Sequence, residues 1–177
     1  MVYPLLTHPP ADNQLVLYPS RTSLGTLETQ KIVIAGHLSH SAVISTVSVL
    51  VDLGADSSFI SKSFCELNGI VTRDLTSPIQ LYLGTGKQSD SGPITQSTLP
   101  LQLNLDGHIE TRVFLVTTLS HDIILGIPWL KDHNPSIDWA VGTLHFKSDF
   151  CLTNCCITDI LSVRSSVPVH RKLYAKV

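Results

Sequence analysis

The spacing of hydrophobic residues changes near residue 30. From there to residue 51, short β-branched apolar runs alternate with glycine and polar residues, a pattern typical of β-strands joined by turns. Residues 1–28 instead carry four prolines among polar residues and show no sustained period. We therefore predict a poorly ordered linker over residues 1–29, followed by a β domain.

The clearest single strand is predicted at residues 99–106, where every second residue is leucine and the alternate positions are mostly polar. A period of two predicts a strand with one buried face and one solvent-exposed face. Asp106 and Gly107 then form a tight-turn dipeptide, and residues 113–116 are apolar on both faces. We predict that the two apolar segments pair as a hairpin.

Two short helices interrupt the predicted strands. Ser63 and Glu66 have the spacing of a capping box, and Gly69 provides a stop. Pro128 can begin a second helix, which ends before Pro135. Both helices are too short to form the scaffold of a core.

Many short strands with only two short helices predict an all-β barrel or sandwich over residues 30–149. Residues 150–177 are then a C-terminal tail. Hydrophobic residues make up 43% of the sequence, which is enough to fill the core of one such domain.

The net charge and the N-terminal sequence indicate which binding partners and which cell compartment we expect. The chain has 12 Lys and Arg against 14 Asp and Glu, a formal net charge of -2, so we expect no direct nucleic-acid partner. Residues 1–10 lack the basic and apolar regions of a signal peptide, and no stretch approaches the roughly 18 apolar residues of a membrane span. We expect a cytoplasmic protein without membrane association.

The cysteines do not form a recognisable framework. Cys65 stands alone, while Cys151, Cys155 and Cys156 lie close together in the sequence. Their spacing matches neither a disulfide scaffold nor a zinc motif, and the eight histidines include no His-x₃-His pair. We therefore predict reduced thiols, no metal site and no cofactor.

One carboxylate stands at the end of an apolar strand. Residues 49–51 are apolar, Asp52 follows, and Gly54 permits a sharp turn. An acid in such a place is rarely without a partner; capping of the turn by the side chain is one interpretation. A second apolar strand breaks at Gly126, which on its own indicates only a corner between a strand and a helix.

Together these two segments resemble the retropepsins, and the resemblance is close to the proteases of Ty3/gypsy-type retrotransposons of the sushi-ichi-like group. It extends from about residue 31 to residue 155. The strings that carry it are VDLGAD at residues 51–56, SGPIT at 91–95, ILGIPWL at 124–130 and HNPSIDW at 133–139.

The resemblance implies a closed β-barrel that is one half of an acid protease. Two copies form a homodimer that hydrolyses extended peptide or polyprotein substrates by means of a water molecule, without a metal or cofactor. By this resemblance the catalytic residue is Asp52, the active-site loop also contains Leu53, Gly54 and Ala55, the flap contains Leu83, Gly84, Thr85 and Gly86, and the second loop contains Ile124, Leu125 and Gly126.

The chain departs from the family at Leu53, where the family has Ser or Thr. By resemblance, that hydroxyl forms a hydrogen bond across the dimer axis, and losing such a bond costs about 1–3 kcal/mol per site. Two functions stay open: an aspartic endopeptidase that processes a polyprotein, and a catalytically inactive module for dimerisation or peptide binding. A generic β-barrel binding module is a third interpretation, which requires the matching strings to be coincidental.

Overall fold

The computed structural model describes residues 31–140, 142–157 and 162–164. The predicted linker and most of the predicted tail lie outside these residues. The first part of the described chain contains strands β1 (Ile32–His40), β2 (Val43–Val51) and β3 (Phe59–Ser61), helix α1 (Lys62–Asn68), and strands β4 (Thr72–Ile79), β5 (Ile94–Thr98) and β6 (Leu101–Leu105). The second part contains strands β7 (His108–Arg112), β8 (Leu115–Thr117) and β9 (Ile123–Leu125), helix α2 (Ile127–His133), strands β10 (Ser136–Asp138) and β11 (Thr143–His145), helix α3 (Asp149–Asn154), and strands β12 (Cys156–Ile157) and β13 (Ser162–Arg164).

Most of the strands belong to one curled sheet of ten strands in the order β12-β7-β6-β1-β2-β9-β3-β8-β5-β4, while β10, β11 and β13 form a small second sheet. The predicted all-β class is confirmed, with three short helices in the described residues instead of the predicted two. The core is made of side chains from both central and peripheral strands together with the aromatic rings of Phe114, Trp129 and Phe146.

The alternating leucines occupy a strand as predicted. Leu101, Leu103 and Leu105 of β6 are buried, because a strand sends every second side chain to the same face of a sheet. Leu99 precedes the strand and is 42% exposed, so the leucine pattern extends beyond the element that it predicts.

The predicted hairpin has a different second strand. Asp106 and Gly107 both have positive φ values, 50° and 96°, which suit a two-residue hairpin turn. This turn places Leu105 opposite His108, so β6 pairs with β7 and not with residues 113–116. Those residues instead lead into β8, which pairs with β3 and β5. Strand β7 was not predicted because its composition is polar, although the side chains of His108 and Glu110 are buried.

The N-cap of helix α1 lies two residues before the predicted cap, Ser63. Ser61 is the N-cap, and its Oγ accepts a hydrogen bond from the Phe64 N–H. The helix ends as predicted at Gly69, which has a left-handed conformation with φ 63°, and the Ile70 N–H donates to the Cys65 carbonyl at 2.9 Å.

We expect Gly69→Ala to lower the free energy of unfolding by about 1 kcal/mol, because a side chain is strained in the left-handed region. An added Cβ would meet no atom within 4 Å, so the change measures backbone strain alone. Urea denaturation is the measurement, and Gly69→Asn should lose less because asparagine tolerates this conformation better. An unchanged urea midpoint for the alanine variant would argue against a left-handed cap.

Helix α3 starts at the predicted boundary between domain and tail. Ser148 caps it by accepting a hydrogen bond from the Cys151 N–H, and the Cys151 side chain is part of the hydrophobic core. Ordered structure therefore continues past residue 149. No helix within the described ranges is long and apolar enough to cross a lipid bilayer.

Candidate active site

Asp52 lies in the loop that follows β2. Its backbone N–H donates to the Leu125 carbonyl at 2.9 Å, and its Oδ1 accepts a hydrogen bond from the Gly54 N–H at 2.8 Å. One carboxylate oxygen thus caps the turn, as the local pattern predicts for Asp. Within the described part of the chain, Oδ2 accepts no hydrogen bond, and the side chain is half-buried. The loop therefore holds one oxygen in place and leaves the other available.

Strand β9 brings the second predicted loop beside the first. It runs parallel to β2, with Val51 opposite Leu125, so both strands end at the same edge of the sheet. The Ile127 N–H then donates to the Ala55 carbonyl at 2.8 Å. The predicted active-site loop and the predicted second loop are therefore in direct contact.

Gly126 is required by the closeness of this contact. A Cβ at this position would lie 2.3 Å from the carbonyl oxygens of both Ala55 and Ser57. Because the obstructing atoms belong to the backbone, a side chain could not be accommodated by a change of rotamer. The sequence alone indicates only that a strand ends and a helix begins at Gly126. The structure shows in addition that the Asp52 loop packs too closely against this residue for any side chain.

The predicted glycine hairpin is confirmed as a hairpin. The Gly86 N–H donates to the Leu83 carbonyl at 2.8 Å, the Leu83 N–H donates to the Lys87 carbonyl at 2.8 Å, and Tyr82 bridges to Gln88. Leu83, Gly84, Thr85 and Gly86 form its exposed tip. No hydrogen bond joins this tip to the Asp52 loop among the residues that the structure describes, and its role as a flap stays a prediction.

Leu53 projects from the Asp52 loop with 55% of its surface exposed. Its side chain has no hydrogen-bonding atom, so it places an apolar group where the resembled family has a hydroxyl. The loop therefore presents an exposed leucine next to the candidate catalytic carboxylate.

A second cluster, made of potential metal-binding side chains, was not predicted from the sequence. It consists of His108 on β7, His133 at the end of α2, and Cys151 and Cys155 on or next to α3. The sequence signal for it was the spacing of four between the two cysteines, which places both on one face of a helix. The two histidines are distant in sequence, and only the fold brings them to this helix.

Burial controls the protonation of this cluster. Burial, followed by the charge of the nearby His133, lowers the pKa of His108 to about 4. Burial also lowers the pKa of His133, against the opposing effect of the Glu110 carboxylate. Both imidazole rings are therefore neutral at neutral pH. Burial and the neighbouring Cys151 raise the pKa of Cys155 to about 12, so this thiol keeps its proton in the absence of a cation.

The fold and the paired loops at the ends of β2 and β9 agree with a retropepsin-like protease domain, which is the class that the matching family model gives. More specifically, the chain belongs to the family of the PEG10/RTL1 protease domain, whose model matches residues 48–155. This family is retropepsin-like and of retrotransposon origin. The matched residues include the Asp52 loop, the glycine hairpin, Gly126 and all four residues of the His/Cys cluster.

Solved structures give further similarities. The chain is similar to the retroviral protease-like domain of Ddi1 from Leishmania major, with 22% identity, coverage of 71% of this chain and 94% of that chain, and a TM-score of 0.44. It is also similar to the EIAV protease complexed with the inhibitor HBY-793, with 21% identity, coverage of 65% and 99%, and a TM-score of 0.41.

Proposed function

We propose that this chain is half of an aspartic endopeptidase, in which Asp52 and its copy from a second chain face each other across a two-fold axis. The observation that carries the proposal is the Asp52 carboxylate itself. It stands at the end of β2 in a chain of a protease family, with one oxygen fixed by Gly54 and the other available. Each chain supplies one such loop, so the complete site needs two chains.

The proposed chemistry follows from the close approach of two carboxylates. Two such groups cannot both be ionised cheaply at short range, so they share one proton. The charged carboxylate takes a proton from a water molecule while the water oxygen bonds to the peptide carbonyl carbon. The protonated carboxyl group donates its proton to the carbonyl oxygen. The tetrahedral intermediate then collapses. The carboxyl group that took the proton from water gives it to the nitrogen, the C–N bond breaks, and the other carboxylate takes back a proton from a hydroxyl of the intermediate.

The proposed substrate is an extended, largely apolar peptide segment of the polyprotein that contains the domain. The glycine hairpin is the element that would cover it and exclude water. Tyr82 and Leu83 near the hairpin tip are 62% and 51% exposed, so they provide apolar surface for such a peptide. No charged residue lies among the four residues of the tip, which agrees with apolar subsites.

Leu53 favours a second candidate function. Without a hydroxyl at this position the two active-site loops lose a hydrogen bond in each half of the proposed dimer, and the exposed leucine adds bulk at the axis. A domain with these properties could serve as a dimerisation or peptide-binding module without cleaving its ligand. The two candidates share the fold and differ only in catalytic competence.

The test is a comparison of wild type with Leu53→Ser on a mixed peptide library between about pH 4 and pH 7. We expect the serine variant to cleave at least about tenfold faster, which corresponds to roughly 1.4 kcal/mol, because serine supplies the missing hydrogen bond. The rate per chain should rise with protein concentration, since two chains form the site.

The matched control is Leu67→Ser, which removes an 85% exposed leucine from α1 without changing the Asp52 loop, and its rate should equal that of wild type. A rate per chain that does not vary with concentration would count against the two-chain site. Dimers that cleave no peptide in either the wild-type or the Leu53→Ser form would favour the inactive module.

A further inference from the structure

Four potential metal ligands from three different secondary-structure elements lie close together, next to the aromatic rings of Phe146 and Phe150. Strand β7 supplies His108, α2 supplies His133, and the α3 region supplies Cys151 and Cys155, with all the ligand atoms within 4.8 Å of one another. We propose that these four side chains bind one zinc ion as a structural site. This inference does not depend on the proposed protease activity.

His108 provides the first independent indication of a ligand. The side chain is fully buried, and within the described residues neither ring nitrogen has a hydrogen-bond partner. Buried polar groups are almost always hydrogen-bonded, and the exceptions call for an explanation such as a bound ion. Phe146 stacks on the face of the His108 ring, with the centroids 4.0 Å apart. This contact gives the two ring nitrogens no hydrogen-bond partner within the described residues. A metal ion would satisfy one of them.

His133 is oriented as zinc-bound histidines usually are. Its Nδ1 lies 2.9 Å from the Trp129 carbonyl oxygen, which can only accept, so Nδ1 carries the proton and Nε2 carries the lone pair. Nε2 lies 3.6 Å from the Cys155 Sγ. With Zn–S bonds of about 2.3 Å and Zn–N bonds of about 2.0–2.1 Å, a tetrahedral site separates its sulfur and nitrogen ligands by roughly 3.6 Å.

The charged neighbours of His133 leave this lone pair available. Glu110 Oε2 lies 3.5 Å from His133 Nε2, but it also pairs with Arg112 Nε at 3.0 Å. The other Glu110 oxygen accepts a hydrogen bond from Trp129 Nε1. Asp132 is half exposed and pairs with Arg112. The Glu110 carboxylate is thus engaged by two other donors and lies next to the four ligands without being required as one of them.

The two cysteines complete a set of donors that favours zinc. Two sulfur and two imidazole ligands are typical of structural zinc sites, which have no open coordination position. On binding, each thiol releases its proton to the solvent, and the two thiolates balance the charge of a divalent cation in this buried place. The ion would join α3 to β7 and α2, and so attach the C-terminal part of the domain to the barrel.

The first experiment measures the zinc content of the full chain purified under reducing conditions. We expect about one zinc ion per chain in wild type, and loss of the metal in Cys151→Ser, Cys155→Ser and His108→Ala. The matched control is Cys65→Ser, which removes a buried cysteine of α1 outside the cluster and should keep its zinc. Wild type without zinc, or equal loss in Cys65→Ser, would overturn the proposal.

The second experiment uses wild type alone, in case a ligand variant fails to fold. The zinc is removed with a chelator and the chain is titrated with Co²⁺. We expect intense visible bands of a tetrahedral ion and a thiolate-to-cobalt charge-transfer band that saturate at one equivalent, and zinc should displace them. Weak octahedral spectra, or a Cys151–Cys155 disulfide in freshly purified protein, would show that these residues do not form a zinc site.

Discussion

Asp52→Asn is expected to lower the rate of peptide cleavage roughly 1000-fold while the protein stays folded. An amide cannot take a proton from water, but its oxygen can still accept the hydrogen bond that the Gly54 N–H donates to Oδ1 at 2.8 Å. The turn therefore keeps its geometry, and only the acid-base group is lost. Cleavage rates are measured in the wild-type and the Leu53→Ser backgrounds, with urea denaturation of the same samples.

The control for this substitution is Asp106→Asn. Asp106 is exposed at the β6–β7 turn with φ 50°, a conformation that asparagine also tolerates, so its cleavage rate should equal that of the parent. Cleavage that persists in Asp52→Asn at the parental rate would mean that another group, or a contaminating protease, performs the reaction.

Gly126→Ala is expected to lower the free energy of unfolding by about 3 kcal/mol. The new Cβ would lie 2.3 Å from two backbone oxygens of the Asp52 loop. Either β9 and α2 move away from that loop, or the loop itself shifts, and both changes disturb the hydrogen bond between the Ile127 N–H and the Ala55 carbonyl. Cleavage should fall together with stability.

Urea denaturation measures this change, and Gly84→Ala is the matched glycine control for stability. A Cβ at Gly84 would meet no atom within 4 Å, so this variant should unfold within about 0.5 kcal/mol of wild type. Equal stability of the two alanine variants would show that the approach of Gly126 to the loop is looser than described.

The features that were predicted correctly from sequence are short-range ones. The leucines of β6 follow the period of a strand, and the hairpin at residues 80–88 needs only glycines between two extended segments. The Asp52 and Gly126 segments could be associated with each other only through their resemblance to a family, because no local pattern connects strands that lie so far apart in sequence. The structure then shows these strands paired in parallel.

The remaining features depend on tertiary contacts. Strand β7 has a polar composition, yet His108 and Glu110 on it are buried because they face α2 and the aromatic core. The His/Cys cluster could not be predicted for the same reason. Helix α3 contains Cys151 and is followed directly by Cys155, but only the fold brings both histidines to these cysteines.

The parallel pairing of β2 with β9 also determines when the site can form during protein synthesis. The Asp52 segment leaves the ribosome well before residues 123–127, which supply the Leu125 carbonyl and the Ile127 N–H that hold its loop. Non-local strand pairing waits for its later partner. An unfinished chain therefore lacks the supported Asp52 loop. Under the proposed function, the domain becomes able to cleave a peptide only after residues 123–127 have been translated.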